Sequence, residues 1–267
     1  MVSNQLKMLL AAVWFAPFVP ALAATHSLPH LYSDGTIVAS RLGNDLYLAL
    51  DPKFQQGLQP NPVMVEKMDA PVITPMSVNS GNKTLGVVSI SAGYIGLLHH
   101  LAHAKAIDRI QPGFFDQYVL NLARQTGGNS LPGLPNIIDD RYWMDDVMND
   151  QSSYFNQMIG MTLALNLSHH YLGHFTQFSS QMLAGKLVPI NNFIPPESWE
   201  AGLKAATLNC LNCAVATPGA KALFEAIDKM PRRPAWAAFI VPPAADLKKL
   251  NNQLKQYEDD YFHGRLN

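Results

Sequence analysis

The stretch that most constrains this chain is an apolar, helix-favouring run from Met158 to Leu183, broken only near Gly185, with Asn166-Leu167-Ser168-His169-His170-Tyr171-Leu172-Gly173-His174 at its centre. A run of this length and apolarity has to be packed inside a globule, and other elements must be arranged around it. Within it Thr162, Asn166, His170 and His174 recur every four residues, so on one continuous helix they form a polar stripe on a single face. Buried polar groups need hydrogen-bond partners or a metal. Two imidazoles one turn apart can hold one zinc ion, and Asn166, a further turn back, is placed to orient a ligand from behind.

Histidine spacing adds weight to this reading. Nine histidines in 267 residues would give about 0.3 pairs at i,i+4 by chance. The chain has three such pairs: His26/His30, His99/His103 and His170/His174. The first flanks Pro29 and reads as an extended tail. His99/His103 has no other ligand type close by in sequence and reads more readily as a satisfied core pair.

Apolar residues at 48% and charged residues at 15% fit a compact globule and argue against disorder. A net charge of −1 gives no reason to expect nucleic acid as a partner. Residues 1–23 read as a secretory signal: Lys7, an apolar stretch from Met8 to Val19, then Ala21-Leu22-Ala23 as a small-x-small cleavage site. The mature chain would be a single domain over 24–267, periplasmic or secreted. It carries no later run long enough to be a transmembrane segment. Cys210 and Cys213 form a lone C-x-x-C in a helical context, which favours buried packing or a local disulfide over redox catalysis.

Along the chain, Thr36–Ala39 and Asp45–Leu50 read as two short strands around a Gly43-Asn44 turn. The prolines of Gln59–Pro62 mark a loop. Asn79–Lys83 is a turn, Leu85–Ser91 a strand, and Tyr94–Ile110 and Phe114–Arg124 are helices. The acidic, aromatic segment Asp139–Asp150 lacks the spacing and central glycine of a calcium loop and reads as a solvated helix. Helices are expected from near Glu197, over Ala220–Met230, and over Ala244–Tyr261. The fold class is α+β, mainly helical, with a small N-terminal sheet.

Taken in order, these elements resemble the gluzincin zinc metallopeptidases, in particular the prenyl-protease/heat-shock membrane peptidase group and its soluble periplasmic relatives. Residues 79–98 resemble that family's edge strand along the substrate cleft. Leu167–His174 resembles its His-Glu-x-x-His helix, and Glu200-Ala201-Gly202 its third-ligand motif. The resemblance implies a zincin-like domain with zinc held by His170, His174 and Glu200, Glu197 being a competing third ligand. It also implies a peptide or protein as substrate or partner. Three departures stand out: Tyr171 replaces the glutamate that activates water, Gly202 replaces an aspartate, and residues 99–158 form a longer insertion than the family normally carries. A phenol of pKa about 10 is a poor base at neutral pH. The resemblance therefore leaves two functions open: an exported metallopeptidase-like hydrolase with an altered base, or an inactive zincin-fold protein that binds a peptide or envelope partner.

Overall fold

The computed structural model describes residues 34–124, 131–181 and 188–265. The signal sequence expected over residues 1–23 lies outside them. The described chain is mainly helical with one three-stranded sheet in its N-terminal part. Among the described residues, no helix is long and apolar enough to cross a membrane.

The first element is not a pair of strands but one helix, α1 (Gly35–Leu48). Its buried residues Gly35, Ala39, Leu42, Gly43 and Leu46 recur at helical spacing. Gly43 sits inside it because the helix lies directly on the sheet: a Cβ there would come within 2.2 Å of Val63 Cγ2. The glycine that resembled a turn is thus a point of close packing. A short helical turn, α2 (Pro52–Gln55), leads into β1 (Leu58–Glu66).

The sheet order is β1-β3-β2, with β2 (Ile73–Ser80) antiparallel and β1 parallel to the central β3 (Lys83–Ser91). The proline-marked segment that reads as a loop is therefore an edge strand. Its prolines are tolerated because the register slips between Leu58 and Val63, around Asn61 at φ 56°. Gly81, at φ 59°, supplies the turn of the β2–β3 hairpin.

Ser91 closes β3 and opens α3 (Ala92–Ile107). Its Oγ accepts from the N–H of Tyr94 as a helix cap, accepts from the N–H of Val72, and donates to the Ala70 carbonyl. The strand, the helix and the loop before β2 are tied at one hydroxyl. Beside it, Gly93 can only be glycine, since a Cβ would fall on the Asp69 carbonyl oxygen.

After α4 (Phe114–Arg124) and a 3₁₀ turn at Asp140–Trp143 comes α5 (Asp145–Tyr171). It begins thirteen residues before the apolar run, because its polar first half still buries Val147, Gln151 and Phe155 at helical spacing. The acidic residues there stay at the surface as expected, Arg109 pairing with Asp146 and Asp150 at 2.8 Å each. The segment from Asp139, however, is a 3₁₀ turn with Tyr142 buried followed by the start of α5, not one solvated helix. α5 packs against α1, α3, α7 (Pro196–Asn212) and α8 (Pro218–Lys229), so it is the axis of the core. It ends earlier than the run implies, at Tyr171 rather than near Leu183. Gly173 then takes φ 77°, in the left-handed region, and a separate turn, α6 (His174–Phe178), begins. The last helix, α9 (Leu247–Phe262), is capped by Asp246 and packs on α7 and α8.

Candidate functional site

The break at Gly173 decides the histidine geometry. His170 is in the last turn of α5 and His174 is the first residue of α6, so the two do not lie on one helical face. His170 turns towards the sheet, where its Nε2 bonds the Val87 carbonyl of β3 at 2.9 Å. Its ring lies flat against Gly86, and a Cβ at that glycine would meet the His170 ring at 2.5 Å. Burial keeps His170 below the ordinary imidazole pKa, so the neutral ring donates one hydrogen bond and braces the end of α5 against the central strand.

His174 instead meets His169. Their Nδ1 atoms are 3.3 Å apart, and both residues are buried. His169 is held near pKa 3, first by burial and then by the neighbouring His174. Its other nitrogen, Nε2, is buried without a hydrogen-bond partner, though the Asn191 side chain lies near the ring. The Asn191 Oδ1 accepts from the Trp199 indole at 3.1 Å, and its Nδ2 donates to the Ala238 carbonyl. Across from His169, Gly202 of α7 leaves room. A Cβ there would stand 3.7 Å from His169 Nδ1 and 3.1 Å from Ser168 Oγ.

Glu200 lies elsewhere. Its carboxylate bonds Lys249 and Gln253 of α9, and these hydrogen bonds hold its pKa below the usual carboxylate value. Glu197 is exposed in the first turn of α7. His170, His174 and Glu200 are therefore not brought together, and the expected zinc ligand set does not fit this geometry. Among the described residues, no group of three or more histidine, cysteine, aspartate or glutamate side chains is arranged to hold a metal ion.

The rest of the polar stripe, Thr162 and Asn166, and the buried Ser168 outside it are satisfied within α5 itself. Thr162 Oγ1 bonds the carbonyls of Met158 and Ile159, Asn166 Nδ2 that of Thr162, and Ser168 Oγ that of Leu165. Asn166 therefore has a partner without a metal ligand to orient. Tyr171 packs its ring on Phe54, with centroids 4.9 Å apart. Burial, with a lesser contribution from the Cys210 thiol, pushes its pKa well above the ordinary phenol value. A phenol so placed stays neutral and cannot accept a proton at neutral pH.

The histidines of α3 each have their own partner. His99 Nδ1 meets Gln151 at 3.0 Å and stacks on Phe155, His100 Nδ1 meets the Tyr118 hydroxyl, and His103 Nε2 bonds the Tyr142 carbonyl at 2.8 Å. The reading of this pair as satisfied core residues agrees with these contacts. Cys210 and Cys213 are free thiols at the C-terminal end of α7. Burial raises both, Cys213 to about 11. Reactive C-x-x-C pairs instead use depressed thiol pKa values, such as a helix N-terminus supplies.

The residue that spacing rules overlook is His169. At i,i+4 it pairs with nothing, and only the glycine preceding His174 signals that the helix stops and that the neighbour changes. Comparisons with known protein families, with curated proteins and with solved structures find no match to this chain.

Proposed function

We propose that this protein is an exported, zincin-like protein that binds a peptide or envelope partner in extended form and does not hydrolyse it. The observation that carries this reading is the free edge of β2. Met76, Ser77, Asn79 and Ser80 are exposed there, and among the described residues no further strand pairs with β2. Ladder parity, set by the bond from Ser91 N–H to the Val72 carbonyl, turns the backbone N–H of Ser77 and Asn79 outward. An extended peptide can add to such an edge through its main chain. β1 is the poorer edge, since Pro60 and Pro62 lack the N–H a partner would need.

In the resemblance it is the strand at residues 85–91 that borders the cleft. Here that strand is β3, the middle of the sheet, with both its sides paired, so a partner strand has to use β2 instead. What supports a zincin-like arrangement is the end of the histidine-bearing helix braced on the strand by His170. What speaks against hydrolysis is the neutral, packed Tyr171 phenol together with a Glu200 already bonded by Lys249 and Gln253.

The test is a peptide array probed with purified protein, followed by mass spectrometry of bound peptides. Peptides should be retained intact, and Ser77→Pro, which removes one outward N–H and leaves the β2–β3 ladder, should weaken retention. Chelator-sensitive cleavage by the wild-type protein would overturn the proposal.

A further inference from the structure

The pair His169–His174 is the part of the molecule that the reading above does not use. Each of the other buried histidines has a partner of a different kind: a backbone carbonyl, a hydroxyl or an amide. These two instead point the same nitrogen at each other. As neutral rings they can share one proton between the two Nδ1 atoms, one donating and the other accepting.

The distance has a second meaning. Zinc–nitrogen bonds are about 2.0–2.1 Å long, and two ligands at a tetrahedral centre then stand about 3.3–3.4 Å apart. The Nδ1 atoms are 3.3 Å apart. Coordination through both Nδ1 atoms would leave each Nε2 as an N–H donor. For His169 that atom is buried without a hydrogen-bond partner, and the Asn191 side chain lies close enough to act on the imidazole. Metal-bound histidines characteristically donate that N–H to a carbonyl-type acceptor, which the second lone pair of the Asn191 side-chain oxygen would supply.

We propose that His169 and His174 form a divalent-cation site, with both Nδ1 atoms as the protein ligands and zinc as the best-fitting ion. Two of the four tetrahedral positions remain for water or for a donor from a bound partner. The site differs from the His170/His174/Glu200 set in exchanging one histidine for its neighbour and needing no carboxylate, and it stands whether or not a peptide binds at β2.

The experiment is zinc titration of chelator-stripped protein by calorimetry, with cobalt(II) absorption as a second readout and circular dichroism to confirm folding. Wild type should bind one zinc. His169→Gln and His174→Gln should each weaken binding by more than about tenfold, since loss of a ligand costs at least what loss of its supporting partner does. His170→Gln, which keeps a donor for Val87, should bind as wild type does. A gain-of-affinity variant covers the case in which the losses reflect misfolding. Gly202→Asp on a Ser168→Ala background places a carboxylate within reach of the same metal position, and it should tighten binding. Absence of zinc binding in the wild-type protein, or binding lost in His170→Gln but kept in His169→Gln, would overturn the proposal.

Discussion

Lowering the pH from 7.5 to 5 should remove a large part of this protein's stability, and two histidines of α3 account for a defined share of the loss. Burial, and repulsion between neighbouring imidazoles, hold His99 near pKa 3 and His100 near 4, against an ordinary value of 6.5. Both are depressed, so the unfolded chain takes up protons that the folded chain refuses. Their contribution is fully present above pH 6.5 and is lost as the pH falls through that value towards 4 and 3. At pH 5, one and a half units below 6.5, each costs about 2 kcal/mol, or about 4 kcal/mol for the two. That compares with a total stability of about 5–15 kcal/mol for a typical domain. His103 and Gln151 also face this region, and His103 is shifted down as well. The assay is urea unfolding at pH 7.5 and 5.0, in chelator, for wild type and for the double variant His99→Gln/His100→Gln. The variant's absolute stability is not the readout. Its loss between the two pH values should be smaller than the wild-type loss by about 4 kcal/mol. An equal loss in both proteins would refute the argument, because the acid sensitivity would then reside in other groups.

Gly86→Ala should displace the His170 ring and break its bond to Val87, lowering stability by about 1–3 kcal/mol. For a domain of this size that is a drop of about 2–4 °C in Tm per kcal/mol by calorimetry. Adding His170→Ala should cost less in the Gly86→Ala protein than in wild type, because the two residues touch; simple additivity would refute the contact. Native-state alkylation followed by mass spectrometry should label Cys213 slowly and Cys210 only after unfolding. Equal labelling, or no labelling because of a disulfide, would contradict the buried, free thiol at Cys210.

The helices α3, α4, α7, α8 and α9 were legible because their apolar residues, prolines and glycines act locally. Strand β3 was legible for the same reason, as a short β-rich run between a turn and a cap. α1 was not, since Gly43 looks like a turn until Val63 of the sheet is seen to press against the position where its side chain would be. β1 was hidden by prolines that an edge strand with a slipped register accommodates. At the site, the polar stripe on α5 was legible, but its satisfaction was not. Back-bonding by Thr162, Asn166 and Ser168 leaves no trace in spacing, so the stripe read as a call for a metal. Glu200 could be assigned to a helix from sequence, yet its partners Lys249 and Gln253 lie about fifty residues on. The pairing of His169 with His174 depends on one backbone conformation, which periodicity does not encode.

That conformation gives Gly173 an unusual position. A Cβ there would meet nothing within 4 Å, so the residue is held to glycine by its dihedral alone and not by crowding. For any other residue the left-handed backbone is disfavoured by about 1–2 kcal/mol, and the chain gains by continuing the helix. A continuous helix would carry His174 round to stand one turn above His170 and away from His169. Gly173 is therefore a selector: one pair of dihedral angles decides which imidazole His174 faces. A single-base change at that codon could trade one histidine pairing for the other without altering any histidine.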